Sequence, residues 1–350
     1  MSEFLFLGGF LSFITAILAL DLGILNKNSG GMSLKKAAVM STVFVGFSIG
    51  FYFFLFYFGD QIHQIDSIEK LKAITERHHH AIKIIPKDLE SSLHLYRKNL
   101  AVEYLTGYIV EYALSVDNIF VILLIFSSFN VPKAYYHRVL FWGIIGAIVM
   151  RLIFIFVGAA LIEKFEWIPY IFGGFLIYSG IRMFIEQEKK ETMETHSHPV
   201  VKFANKYLKV HDRYVEDKFW GRFQGVWKIT PLFLVLVIIE VTDLIFAVDS
   251  IPAIFSVTKD PYIVFFSNIF AILGLRSMFF LLAGFLDKLS YLKVGLSFLL
   301  VFIGIKMLLH TYLEEMGFRT NHSLIIISLI LGISVLASFF FPKKQQENSH

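Results

Sequence analysis

Nine stretches of this chain, at about 4–20, 38–58, 105–128, 139–162, 167–185, 230–252, 262–285, 290–309 and 322–341, are apolar for long enough to cross a bilayer. In hydrocarbon a backbone must satisfy its own polar groups, so continuous apolar runs of this length are helices. The expectation is an all-α polytopic membrane protein with about nine transmembrane helices. Charged residues make up only 17% of the chain, against about 25% for a soluble domain. The first stretch is preceded by Glu3 rather than a basic segment and shows no small-residue cleavage site, so it reads as a helix and not a signal peptide.

Basic loop residues set the orientation. Lys27, Lys35 and Lys36 follow helix 1, and Lys133 and Arg138 follow helix 3. A run from Lys189 to Lys228 follows helix 5, Lys288 and Lys293 follow helix 7, and Lys343 and Lys344 lie in the tail. The alternate short loops hold one each, Lys164, Lys259 and Arg319. The chain therefore reads N-terminus outside and C-terminus cytoplasmic, in a plasma membrane. It divides into helices 1–2 (1–59), an extracytoplasmic polar loop (60–100), a first three-helix unit (101–185), a basic cytoplasmic loop (186–229), a second unit (230–310) and a final helix with its tail (311–350). A scattered net charge of +4 gives no footprint for nucleic acid. The absence of cysteine excludes disulfides, thiolate metal sites and Cys nucleophiles, so a bound metal would be held by oxygen or imidazole.

The two units are copies. "SVDNI" (115–119) matches "AVDSI" (247–251), and an acid stands six residues before each aspartate, Glu111 before Asp117 and Asp243 before Asp249. "MRLIFIFVGAAL" from Met150 matches "LRSMFFLLAGFL" from Leu275, and "LIYSGIRMF" from Leu176 matches "LVFIGIKML" from Leu300. Helices 3–5 thus correspond to helices 6–8. An odd number of helices per copy forces opposite directions through the membrane, the inverted-repeat plan of many secondary transporters, whose substrates bind at the midplane between repeats.

A carboxylate at the bilayer centre costs about 2.5–3.5 kcal/mol on insertion scales, so Glu111, Asp117, Glu240, Asp243 and Asp249 call for a reason. Together they could form a cation site. Asn118 and Asn268 add neutral oxygens, and Pro252 interrupts helix 6 by removing the donor for the Val248 carbonyl beside Asp249. Such oxygens suit Mg2+, Ca2+ or Mn2+ rather than copper or zinc. A six-residue spacing rotates about 120° off a shared helix face. Asp117 and Asp249 are therefore expected at the ion, with Glu111, Glu240 and Asp243 behind them or on a proton path. Arg151 and Arg276, at equivalent positions, read as counter-ions. Five acids less two arginines leave three negative charges, which a dication plus one proton would neutralise; proton counter-transport follows from that sum. Asp21 reads as interfacial, and Asp287 and Glu103 as solvated helix ends. The histidines of "RHHH" (77–80) and "HSH" (196–198) read as solvated loop residues without spaced partner ligands.

With these residues in view, the chain resembles the TerC/Alx family of integral membrane proteins. The segments that carry the likeness are "EYALSVDNIFV" (111–121), "VPKAYYHRVLFWGIIGAIVMR" (131–151), "EVTDLIFAVDSIPAIFSVTKDP" (240–261), "SNIFAILGLRSMFFLLAGF" (267–285) and "LVFIGIKML" (300–308), with "ALDLG" (19–23) in helix 1. Thr242 stands where the family pattern has Ser, which keeps the hydroxyl. The resemblance implies export of Mn2+ across a bacterial inner membrane, an association with tellurium resistance, and functional roles for Glu111, Asp117, Asn118, Glu240, Asp243 and Asp249. No resident cofactor is expected; Mn2+, or Ca2+, is the substrate. The rival readings are an exporter of another cation or a cationic amino acid, and an accessory protein for metalation or assembly of other proteins. An intramembrane aspartyl protease is disfavoured, because Val116 and Val248 precede the aspartates.

Overall fold

Each apolar stretch lies on a helix as far as it is described. The computed structural model describes residues 3–25, 33–165, 167–186, 210–211, 213–223, 225–283, 291–318 and 320–340. It leaves out the side chains of residues 4, 20–25, 116, 117, 120, 124, 128, 186, 248, 249 and 314, so those of Asp21, Asp117 and Asp249 lie outside the description, as do Asp287 and 196–198. The helices in order are α1 (Glu3–Leu25), α2 (Leu34–Phe58), the short α3 (Asp60–His63) and α4 (Ile68–Arg77), then α5 (Leu89–Ser128), α6 (Tyr136–Lys164) and α7 (Ile168–Glu186). A hairpin of β1 (Trp220–Phe223) and β2 (Val226–Ile229) precedes α8 (Pro231–Phe255), α9 (Pro261–Leu273), α10 (Leu275–Leu282), α11 (Leu292–Leu308), the short α12 (His310–Glu315) and α13 (Thr320–Phe340).

Helix starts follow local chemistry. Ser33, Ser67 and Asp88 accept from backbone N–H groups in the first turns of α2, α4 and α5, and Asp260 accepts from Tyr262 N at 2.9 Å at the start of α9. Pro231 and Pro261 open α8 and α9, where a missing N–H costs nothing.

Among the described residues, five helices are long and apolar enough to cross a membrane: α2, α6, α7, α8 and α13. The pair α9–α10, bent by 42°, makes a sixth if counted as one span. This is a multi-pass helical membrane protein. Nine crossings are not established among the described residues: α1 counts there as the shorter apolar helix Leu5–Ala19, α11 has 17 residues, and α5 is not among the candidate spans.

The connecting segments carry structure of their own, and one expectation needs correction. Residues 60–100 hold α3, α4 and the first turns of the 40-residue α5. Residues 186–229 hold an antiparallel hairpin, with Trp220 opposite Ile229 and Phe223 opposite Val226. Finally, Pro252 does not interrupt its helix. It removes one hydrogen bond, but the Ser256 N–H still reaches the Pro252 carbonyl at 3.1 Å and α8 runs through. The break falls instead at Gly274, which caps both α9 and α10.

The core is centred on α9, buried from Tyr262 to Leu273 and packed against α2, α5, α6 and α8. The outer faces of the bundle remain apolar, with Phe47, Val149, Ile153, Ile245 and Ile333 exposed, as a lipid-facing surface requires. Helices α7 and α11 cross closely and antiparallel: Gly173 lies against Gly304, and Gly180 against Ser297. The connections gather at two ends. Glu3, α3–α4, Glu163 and Asp260 meet at one, through contacts such as Arg77 to Glu163 at 3.3 Å. Residues 129–138 and 214–217 meet at the other, through Arg138 to Asp217 at 2.5 Å and Tyr214 to the Phe129 carbonyl at 2.7 Å.

Candidate functional site

Two buried polar clusters stand out, one mid-bundle and one at the Glu3 end. The first is organised by Arg151 of α6, which is fully buried. Its Nη1 donates to Glu111 Oε1 of α5 and to Asn268 Oδ1 of α9, and its Nη2 donates to Asp243 Oδ1 of α8 at 3.2 Å. One guanidinium therefore ties four helices. Its fork of donors suits this task as a lysine would not, and a charge so placed is tolerable only when paired. Ser115 also donates to Glu111 Oε1, at 3.4 Å.

The cluster is not closed. Two carboxylates face one guanidinium. Glu111 Oε2 is buried with no hydrogen-bond partner among the described residues. A cavity of about 30 Å³, lined by Asn118, Gly143, Ile144, Thr242, Asp243 and Phe246, opens beside Asp243. That is room for about one water or one small ion.

The predicted site residues are thus partly assembled. Glu111, Arg151, Asp243 and Asn268 touch; Asn118 and Asp243 share the cavity. The Asn268 carbonyl oxygen is spent on Arg151. Glu240 lies to one side, its carboxylate pressed on Gly146 of α6, where any Cβ would collide with it. Arg276 meets the His137 ring at 3.2 Å, near the start of α6, rather than joining Arg151.

The second cluster was not foreseen as a unit. Helix α4 closes with His80 N–H on the Thr75 carbonyl at 3.0 Å and His79 N–H on that of Glu76 at 3.4 Å, with His79 at φ +52. This turn exposes His79 and buries His78 and His80. His63 Nδ1 reaches Glu3 Oε1 at 2.8 Å and its Nε2 reaches Asp260 Oδ2 at 2.9 Å. His80 Nδ1 meets Glu103 Oε2 at 3.0 Å, and Thr258 donates to the same oxygen at 2.7 Å. The "RHHH" tract therefore has partners, and Glu103, at 2% exposure, is not a solvated helix end. The tract itself was visible in sequence. Glu3, His63, Glu103 and Asp260 were not, since each is a single residue far along the chain from the others.

Burial disfavours the charged form of His63, but Asp260 and Glu3 outweigh it and hold its pKa at about 9; His63 in turn holds the Asp260 carboxyl well below the usual carboxylate range. The groups facing His63 are Glu3 on α1, His78 and His80 after α4, and Asp260 before α9, with Glu103 of α5 beyond His80. A raised histidine stabilises fully below its unfolded pKa and loses that contribution as pH rises through the folded value. Metal-free protein should therefore lose up to about 3 kcal/mol between pH 6.5 and 9. Thermal unfolding in chelator checks this, and His63→Gln should flatten the slope.

A polytopic helical membrane protein with an Arg-bridged carboxylate cluster mid-bundle is the class defined by this geometry. The match to a family model, the integral membrane protein TerC family, covers residues 96–346. The chain belongs to that family. It is 38% identical over 330 residues to "Uncharacterized membrane protein STKORF319" of Myxococcus xanthus, covering 94% of this chain and 90% of that one. It is 38% identical over 343 residues to "Putative membrane-bound redox modulator Alx" of Photorhabdus laumondii, covering 97% of each, and 51% identical over 209 residues to the Escherichia coli K12 protein of that name, covering 60% and 64%. No solved structure matches the chain.

Proposed function

We propose that this chain is a secondary carrier that exports a divalent cation, Mn2+, through a site between two inverted repeats. The observation that carries the reading is the buried Glu111–Arg151–Asp243–Asn268 cluster, open at Glu111 Oε2 and beside a cavity of ion size. Glu111 and Asp243 are repeat-equivalent, and they meet on one arginine. The α7–α11 crossing supports the inverted relation: Gly173 on Gly304 becomes Ser297 on Gly180 when the copies are exchanged. The cavity size favours an ion over an amino acid. Asp117 and Asp249, one to two turns along from Glu111 and Asp243, complete the proposed ligand set with Asn118. Glu240 offers a proton path. The N-terminus-out, C-terminus-in orientation rests on the basic loops, and the outward direction on the family resemblance. A redox role, as the relatives' name suggests for them, would have no thiol to work through in this chain.

The test is Mn2+ accumulation in everted vesicles with Ca2+ and Mg2+ as competitors. Asp117→Asn, Asp249→Asn and Glu111→Gln should each reduce uptake at least tenfold at unchanged protein level, roughly 1.4 kcal/mol or more. Uptake indifferent to all three would place transport elsewhere, and indifference to a pH gradient would remove proton coupling.

A further inference from the structure

The His-rich cluster at the Glu3 end is distinct from the Arg151 site. His63 on α3, His78 after α4 and Asp260 before α9 each offer one ligand atom, and the three atoms lie within 4.8 Å of one another. Ligands about 2.0–2.2 Å from one ion stand at most about 4.4 Å apart, so a small side-chain movement closes the set. Two further features point to a ligand. The His80 ring is buried, and its Nε2 has no hydrogen-bond partner among the described residues while lying 3.8 Å from Asp260 Oδ2. The His78 imidazole packs against the His63 and His80 rings, centroids at 5.2 and 5.9 Å, with no side-chain hydrogen bond among the described residues. A chain that buries three imidazoles around Asp260, one of them with a buried nitrogen left without a partner among the described residues, either carries an unmet desolvation cost or holds something there.

We propose that His63, His78 and Asp260, with His80 as a fourth donor, form a second cation site that takes a borderline divalent transition ion such as Zn2+. Mixed imidazole and carboxylate donors favour such ions over Ca2+ and Mg2+, which prefer all-oxygen sets. Ligation by His63 Nε2 takes the place of its hydrogen bond to Asp260. Glu3 stays on Nδ1 at 2.8 Å and orients the ring, the usual arrangement behind a ligating histidine. Glu103 does the same for His80. The bound ion ties α1 through Glu3, α3, the end of α4 and the α8–α9 connection into one unit. None of these residues is shared with the Arg151 cluster, so the site stands whether or not that cluster carries an ion.

Equilibrium dialysis of tag-free, full-length protein in lipid nanodiscs tests it, with Zn2+ as the probe and Ca2+ and Mg2+ as competitors. The wild type and an Arg151→Gln/Glu111→Gln/Asp243→Asn chain, in which no buried charge is left unpaired, should both bind a Zn2+ that neither Ca2+ nor Mg2+ displaces. His78→Gln, which removes no hydrogen bond, should weaken that binding by at least the roughly 10–100-fold that a supporting partner alone is worth. Its metal-free unfolding temperature should match the parent's. His63→Gln should weaken it equally. Zn2+ binding that persists in both histidine variants, or that Ca2+ matches in competition, overturns the site. Loss of Mn2+ transport in the Arg151→Gln/Glu111→Gln/Asp243→Asn chain with Zn2+ binding retained separates this result from the fate of the carrier reading.

Discussion

Arg151→Gln should destabilise the protein by about 3–5 kcal/mol, the cost of removing one partner from a buried ion pair. Two carboxylates, Glu111 and Asp243, would lose their shared cation at once, and Asn268 would lose the donor to its carbonyl. Little water can enter to compensate, since Arg151 and Glu111 are fully buried. The expected readout is a large drop in unfolding temperature in detergent and a low yield of folded protein. The second half of the experiment separates structure from transport. Adding Glu111→Gln and Asp243→Asn to Arg151→Gln replaces a charged cluster by a neutral one of similar volume, and such replacements are often close to neutral. Stability should largely return. Mn2+ uptake should not, because the proposed ligand oxygens have gone. A triple variant that transports normally would reduce the cluster to a structural clamp.

The second large effect is at the α7–α11 crossing. A Cβ built on Gly304 would lie 2.6 Å from the Gly173 carbonyl oxygen and 2.7 Å from Ile177 Cγ1. A backbone oxygen cannot rotate aside, so Gly304→Ala must push the helices apart. In lipid, helix association depends on such close backbone approach rather than on hydrophobic burial. The expected loss is about 1–3 kcal/mol. Gly180→Ala should cost a comparable amount, because its Cβ would lie 2.7 Å from the Ser297 carbonyl and Gly180 is the repeat partner of Gly304. Gly174→Ala, with nothing within 4 Å, is the control and should be silent. Equal and large effects at 180 and 304 would support the inverted repeat through stability alone. Unequal effects would mean the two copies have diverged in how they pack.

Much of this architecture is legible along the chain, for a physical reason. Spanning a bilayer is a property of one segment, so apolar run length marks α2, α6, α7, α8 and α13 without reference to their neighbours. Duplication is also one-dimensional, and the matched motifs pair Glu111 with Asp243 before any coordinate is known. The acids are conspicuous because each costs energy in an apolar run. What those acids touch is a different kind of fact. Arg151 could have met any of them, and which carboxylates it joins depends on the packing of four helices. Pro252 looked like a break because sequence shows the missing N–H but not the neighbours that hold the helix together. The bend went instead to Gly274, where α9 meets α10. The outer cluster is the extreme case. Glu3, His63, His78, His80, Glu103 and Asp260 have no common spacing, and singly each reads as a polar residue at a membrane edge. Only the folding of α1, α3, α4, α5 and the α8–α9 turn onto one end brings them within hydrogen-bond reach. Local solvation thus wrote the membrane spans into the sequence, while long-range packing alone determined which charges became partners.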